Sequence, residues 1–198
     1  QTFVNILASL ITAVTNVQKP ERAARNRLLL RDLLTQREVV ETSKGTINLF
    51  CTSRSEVVYA HHFLDREPST IEWIDGFKTP CIFWDIGANI GMYSVYAALT
   101  DGVEVYAFEP MSGSYASLCN NIQANGLDER IIALCLGFFD KTMLTKFSLS
   151  STEAGSVRHS IGPLKWFNDK VERTESILTF SIDDFWQNYG ERPPNYIK

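Results

Sequence analysis

Phe83-Trp84-Asp85-Ile86-Gly87-Ala88-Asn89-Ile90-Gly91 is the stretch that decides the fold. It continues an apolar run, Cys81-Ile82-Phe83-Trp84, in which apolar and polar residues do not alternate. A strand covered on both faces has this appearance, and such strands belong to parallel sheets flanked by helices. The run delivers an acid, Asp85, to its carboxyl end. Gly87 permits a tight turn and lets ligand atoms approach the backbone, and Ala88 is small for the same reason. Asn89 is expected to cap the next helix. Gly91, in the first turn of that helix, is expected to let it lie close to the sheet or to a ligand.

Two more apolar runs follow, Val103–Phe108 and Ile131–Leu136. Helical stretches lie between them, over Ile90–Leu99 and Gly113–Asn125. In the second, Tyr115, Leu118, Cys119 and Ile122 share one face, Ser112 is the expected N-cap and Asn125-Gly126 the stop. The order βαβαβ with short connections calls for right-handed crossovers and a parallel sheet. Further on, Thr145–Ser150 and Ile177–Phe180 read as strands and Ile182–Tyr189 as a helix. Ser151–Ser176 reads as a long polar excursion pinned by Trp166 and Phe167, and Tyr196-Ile197-Lys198 as the opening of another buried strand.

Upstream, Lys19-Pro20-Glu21 separates helices over Thr2–Val17 and Glu21–Leu34. A hairpin signal follows in Val39–Thr42 and Thr46–Cys51. Helices over Ser55–Phe63 and Ser69–Ile74 are separated at Glu67-Pro68, since proline removes a backbone donor and restrains its predecessor. The expected architecture is an N-terminal helical and hairpin extension over 1–78, then an α/β domain over 79–198. That domain is Rossmann-like, with a mostly parallel sheet and helices on both faces.

A chain of 198 residues, 44% of them hydrophobic, can bury one sizeable core. Its net charge of −4, without a long basic run, disfavours a nucleic-acid partner. Cys51, Cys81, Cys119 and Cys135 form no CxxC pair, and His61, His62 and His159 do not join them at metal-ligand spacing. A reduced, cytoplasmic protein without a metal site is therefore expected. Thr2–Val17 carries Asn5 and Asn16 and is too short to span a membrane comfortably. Its Val4, Leu7, Leu10, Ile11 and Val14 fall three or four apart, the face of an amphipathic helix. That face is expected to pack on a domain or on a partner chain, which makes a homo-oligomer through these helices an expectation. Arg22, Arg25, Arg27 and Arg31 of the second helix read as a solvated face. Because the chain begins at Gln1, the natural protein is expected to start earlier.

The second strand ends at Glu109, 24 positions after Asp85 (109 − 85 = 24). A carboxylate there can accept hydrogen bonds from both hydroxyls of a ribose. A glycine turn followed by an acid one βα unit later is the signature of an adenosine-containing ligand. A dinucleotide fingerprint needs G-x-G-x-x-G, whose second glycine makes room for pyrophosphate. Here Asn89 stands in that place, and the Gly-Lys-Ser/Thr of a phosphate-binding loop is absent. Asp85 is a poor neighbour for phosphate but suits a cation such as an α-ammonium. The site therefore reads as one for ribose and an amino acid, which is S-adenosylmethionine (SAM). A nicotinamide-dependent oxidoreductase and a non-catalytic SAM-binding or assembly module are the alternatives.

The stretch around Asp85 resembles the first motif of class I SAM-dependent methyltransferases. More closely, the chain resembles the FkbM-type methyltransferase family. The residues carrying this are Arg66-Glu-Pro-Ser-Thr-Ile-Glu-Trp-Ile-Asp75, Trp84-Asp-Ile-Gly-Ala-Asn-Ile-Gly-Met-Tyr-Ser94, Val105-Tyr-Ala-Phe-Glu-Pro110, Asn120-Asn-Ile-Gln-Ala-Asn-Gly126 and Pro194-Asn-Tyr-Ile-Lys198. The resemblance implies O-methylation, often of a sugar or polyketide hydroxyl on a small-molecule or glycan acceptor. It maps Asp85, Gly87, Asn89 and Gly91 onto the methionine-side loop, with the small Ala88 among them, and Glu109 onto the ribose carboxylate. Leu136-Gly137 would lie by the adenine. Members of the family continue beyond the Ile-Lys pair with an acidic stretch and further strands. These are expected to be missing here, which would leave the Asp85 strand without a partner on one side. No catalytic residue is assigned. His61, His62, His159 and Glu67 are candidate bases, and Tyr93 either lines the pocket or packs in the core.

Overall fold

A computed structural model describes residues 2–35, 37–164, 170–190 and 192–198, so Trp166 and Phe167 lie outside the described residues. Two compact units divide the chain, Gln1–Gln36 and Arg37–Lys198. The first is a helix pair, α1 (Thr2–Asn16) and α2 (Pro20–Leu34). Pro20 opens α2 at a position where a backbone donor has no helical partner. The apolar face of α1 is exposed at Val4, Leu7, Leu10 and Val14. Arg22, Arg25, Arg27 and Arg31 are all exposed, as a solvated face requires. Arg27 also fastens the pair: its Nη1 donates to Thr15 Oγ1 (3.2 Å) and Asn16 Oδ1 (3.1 Å), because a long guanidinium satisfies the polar end of α1.

The second unit opens with the antiparallel hairpin β1 (Arg37–Thr42) and β2 (Gly45–Phe50). Three short helices follow, α3 (Arg54–His61), α4 (Phe63–Arg66) and α5 (Pro68–Asp75). A capping box starts α3: Ser53 Oγ accepts from the Glu56 amide, and Glu56 Oε2 accepts from the Ser53 amide. The remaining elements are β3 (Cys81–Ile86), α6 (Met92–Ala98), β4 (Val103–Phe108), α7 (Ser112–Ala124), β5 (Ile131–Leu134), β6 (Gly137–Phe138), β7 (Met143–Leu149), β8 (Ser160–Ile161), β9 (Arg173–Phe180), α8 (Ile182–Tyr189) and β10 (Tyr196–Ile197).

The central sheet is parallel, in the order β10-β3-β4-β5. Successive β3 residues feed opposite cores. Cys81 and Phe83 face Ile90, Val95, Val105 and the hairpin's Ile47 and Leu49. Ile82 and Trp84 face Phe108, Leu136 and Phe185 of α8. This two-sided burial explains why the run is apolar without alternation.

The chain lays down β3, β4 and β5 to one side, then returns with β10 to the other flank of β3. Strand order thus reverses at β3, and a ligand crevice forms at the carboxyl ends of strands where the order reverses. The expectation that β3 lacks a partner on one side is corrected. Tyr196 pairs with Phe83 and Ile197 with Trp84. Asn195 fastens this pairing, accepting from the Ile82 amide through Oδ1 and donating its own amide to the Ile82 carbonyl, both at 2.8 Å.

Three further boundaries differ from expectation. The third strand ends at Leu134 rather than Leu136, because the chain turns there (Leu136 N donates to Leu134 O, 3.0 Å) and Gly137-Phe138 pairs with Thr179-Phe180 instead. That pairing belongs to a second sheet, β6-β9-β7-β8. Strand β9 starts at Arg173, inside the expected excursion, since its first residues are mostly exposed and polar and carry no apolar signal. Ser112 does not cap α7: Met111 holds that position, and Ser112 Oγ donates to Glu175 Oε1 (2.9 Å).

The asparagine-rich segment at the end of α7 has a structural task. Asn125 accepts from the Asn48 amide and donates to the Asn48 carbonyl, each at 2.8 Å. The buried Asn121 accepts from the Phe50 amide (2.9 Å) and donates to the Ile90 carbonyl (2.8 Å). Two side chains thus satisfy backbone groups of β2 on the side away from β1. Asn121→Ala leaves the Phe50 amide and the Ile90 carbonyl unpaired, and the expected cost is about 1–3 kcal/mol. A urea denaturation midpoint measures it; Gln123→Ala, at an exposed position of the same helix, is expected to change stability by less than about 0.5 kcal/mol.

Candidate functional site

The turn from β3 into α6 passes three times through left-handed backbone, at Gly87 (φ 78°), Asn89 (φ 54°) and Gly91 (φ 84°). That region is costly for residues with a Cβ. A Cβ on Gly91 would also fall 2.4 Å from Leu118 Cδ1, whereas one on Gly87 would meet nothing within 4 Å. Gly91 therefore admits α7, and the space beside Gly87 is open. Three hydrogen bonds clip the turn to the end of β4. The Phe108 carbonyl accepts from the amides of Gly87 (2.8 Å) and Ala88 (2.9 Å), and Glu109 Oε2 accepts from the Asn89 amide (2.8 Å).

Two readings of this turn are corrected. Asn89 does not cap α6, because the left-handed Gly91 delays the helix to Met92 and takes the N-cap position itself. The Asn89 side chain instead reaches the carbonyls of Gly155 (3.3 Å) and Ser156 (3.4 Å) in the loop after β7. Gly91, for its part, lies outside the first helical turn, and its close neighbour is Leu118 rather than the sheet.

Asp85 is fully buried. Its Oδ2 accepts from Ser94 Oγ (2.7 Å), while Oδ1 has no hydrogen-bond donor among the described residues. The Lys198 ammonium stands 3.9 Å from that oxygen and 4.7 Å from the centre of the Tyr93 ring. Burial pushes the Asp85 carboxyl above the usual range, and Lys198 and Ser94 oppose that shift. Glu109 is also buried, with Oε1 accepting from the Met111 amide (2.7 Å). Burial pushes it up to about 7; the amides of Met111 and Asn89 pull the other way, and the charge of Asp85 adds to the rise. The two acids therefore act on one another beside a single turn. Asn89 Oδ1 is, like Asp85 Oδ1, a buried acceptor without a partner among the described residues.

Asp85, Gly87, Ala88, Asn89, Gly91 and Glu109 thus come together at the tips of β3 and β4. Gly137 stands at the start of β6, where a Cβ would lie 3.5 Å from that of Pro110, the residue after Glu109. The candidate bases part company. His61 pairs with Glu38 (3.0 Å), and His62 is an exposed helix end. His159 lies next to the hydroxyls of Ser156 (3.2 Å from Nε2) and Ser150 (3.5 Å from Nδ1), which makes it a fastener of its own loop; burial holds its pKa below the usual value. Only Glu67 of these four has a charge that acts on both Asp85 and Tyr93. Tyr93 is buried, packs 5.3 Å from the Phe63 ring and offers its face to Lys198. Sequence reasoning did not single out Ser94, Lys198 or the loop over 153–156. Ser94 and Lys198 lie within quoted motifs, but no spacing rule relates either to Asp85.

Among the described residues, no group of three or more His, Cys, Asp or Glu is placed to hold a metal ion, and no helix is long and apolar enough to cross a membrane. A parallel sheet that reverses order at β3, with acids on two neighbouring strand tips beside a glycine turn, defines a Rossmann-like ligand-binding domain. The profile of the methyltransferase FkbM domain matches residues 85–198, more than half of the chain, and the chain belongs to that family. The cofactor of the family's fold is SAM. Solved structures with partial likeness include a SAM-dependent methyltransferase from Agrobacterium tumefaciens (14% identity, 52% of this chain and 33% of that one, TM-score 0.36). Another is a SAM-dependent methyltransferase from Aquifex aeolicus (16%, 41% and 44%, TM-score 0.34). A third is the C-terminal domain of precorrin-6Y C5,15-methyltransferase from Rhodobacter capsulatus (25%, 35% and 39%, TM-score 0.32). The chain spans less than half the length of each of these three. No curated protein matches the sequence.

Glu109 gives the fold a pH signature. Its folded-state pKa, about 7, lies above the ordinary 4.5, so the folded chain holds a proton that the unfolded chain has released. The resulting contribution to stability is fully present below the ordinary value and is lost as pH rises to about 7. Denaturation midpoints measured across this window are expected to fall with pH, and Glu109→Gln is expected to flatten the slope.

Proposed function

We propose that this chain carries the SAM-binding part of a methyltransferase that acts on a hydroxyl of a sugar, polysaccharide or other natural-product acceptor. The observation that carries the reading is Asp85 Oδ1, a fully buried carboxylate oxygen without a hydrogen-bond donor among the described residues, beside a turn whose outer side is open at Gly87. Buried acceptors in folded proteins almost always find a donor. An α-ammonium brings three, and Lys198 already sets one cation beside this carboxylate.

Glu109 suits the ribose. Each of its oxygens accepts one backbone amide and keeps a second lone pair for a hydroxyl. Gly137 is buried beside Pro110, among the side chains of Ile177 and Thr179, and its link to the adenine rests on the family resemblance. No pyrophosphate site accompanies these groups, since Asn89 occupies the place where a dinucleotide fingerprint has its second glycine. When bound, SAM supplies an electrophilic methyl group. The chain's own part is to hold the donor in register and keep its surroundings dry, so that an acceptor oxygen meets the methyl carbon in line. The acceptor class rests on family membership, and a reduced, cytoplasmic setting accords with four free cysteines.

Calorimetric titration with S-adenosylhomocysteine, the demethylated product, and separately with NAD tests the reading. Saturable binding of the first and none of the second is expected; binding of NAD alone would overturn it. Asp85→Asn is expected to weaken nucleotide binding about tenfold or more, the size of a lost charge-assisted hydrogen bond. Because ribose hydroxyls donate to an ionised carboxylate, affinity is expected to decline by up to about tenfold per pH unit below about 7, the value to which burial pushes Glu109.

A further inference from the structure

Lys198 stands beside Asp85 across the pairing of β10 with β3. Its amide donates to the Trp84 carbonyl (2.9 Å) and its carbonyl accepts from the Ile86 amide (3.1 Å), so backbone bonds bracket Asp85 on both sides. Residues level with one another on neighbouring strands project from the same face of a sheet. The two side chains therefore meet, and the Lys198 ammonium lies 3.9 Å from Asp85 Oδ1. Both partners are held from behind. Ser94 Oγ donates to Asp85 Oδ2 (2.7 Å), which fixes the carboxylate plane. The buried Tyr93 holds the ammonium 4.7 Å from its ring centre, a contact that uses the charge and leaves the N–H donors free.

This ion pair is held open. At 3.9 Å the two atoms lie beyond hydrogen-bond distance. Oδ1 has no donor, and the ammonium reaches no hydrogen-bond acceptor among the described residues. A buried acceptor and a set of three donors, opposite in charge, thus stand side by side where the glycine turn begins. A ligand carrying an ammonium alone matches this pair poorly, because it would set a second cation against Lys198. An α-amino acid brings the answering anion with it: its ammonium nitrogen and carboxyl carbon are about 2.5 Å apart on one Cα. We propose that Lys198 recognises the α-carboxylate of the methionine portion of SAM while Asp85 takes the α-ammonium, the two forming a clamp for a zwitterion. Lys198 is then the residue by which the site tells an intact amino-acid end from a decarboxylated one. The proposal rests on the reading that the glycine turn holds SAM.

The experiment titrates the full chain by calorimetry with S-adenosylhomocysteine and with its decarboxylated counterpart, which keeps the ammonium and lacks the carboxylate. The unmodified chain is expected to bind S-adenosylhomocysteine about tenfold or more tightly than the decarboxylated compound, the size of a charge-assisted contact. Lys198→Met keeps a chain of similar length against Tyr93 and removes the charge; it is expected to erase most of that preference by weakening S-adenosylhomocysteine. Should this variant lack a cooperative denaturation transition, Lys198→Gln replaces it. The ratio between the two ligands isolates the carboxylate, since a general loosening of the site weakens both alike. Equal binding of the two ligands by the unmodified chain, or an undiminished preference in the folded variant, would each overturn the proposal. Absence of S-adenosylhomocysteine binding to the unmodified chain would instead strike the functional reading beneath it.

Discussion

The carbonyl of Phe108 and the carboxylate of Glu109 hold the turn after β3 in a backbone conformation that the chain would not adopt unaided. Three residues in five occupy the left-handed region there, and one of them, Asn89, carries a side chain. Such a conformation persists only where its surroundings over-determine it. The three amides clipped to the end of β4 do so, and the close approach of Leu118 closes the turn from the side of α7. The position of Asp85 relative to Glu109, the delayed start of α6 and the contact of Asn89 with the loop over 155–156 all follow from that clip.

Around it, the rest of the second unit supplies rigidity. β3 is buried by a different core on each face, so its carboxyl end cannot tilt without disturbing both. Motifs that carry the family resemblance turn out to include fasteners. Asn121 and Asn125 tie the hairpin to α7, Asn195 ties β10 to β3, and the Tyr196 ring stacks on Phe77 at 3.9 Å. Polar side chains at sheet edges do this well because an unpaired backbone group costs more than a satisfied one gains. The site's electrostatics have the same origin. Two carboxylates are buried on neighbouring strand tips, and burial raises both. A ligand that brings donors to such groups relieves a penalty that folding has already incurred.

Much of this was legible from residue order. An apolar run without alternation identified β3, because two-sided burial leaves no solvent face to mark, and two further apolar runs in βαβαβ order identified β4 and β5. The glycine turn followed by an acid one βα unit later identified the crevice, because both features are local and chemical. Strand β9 was legible only in part, since its exposed first half carries no apolar signal, and the Gly137-Phe138 strand is too short to show periodicity.

By itself, the sequence determined the class of fold, the two acids and the glycines, since burial pattern, charge and the absence of a Cβ are properties of residues in order. Tertiary structure alone decided which partner each polar group found. Lys198 reaches Asp85 across more than a hundred positions, and the Asn89 side chain reaches the Gly155 carbonyl, 66 positions away, instead of capping a helix. Those pairings depend on distances through space between residues far apart in the chain, and no local pattern encodes them.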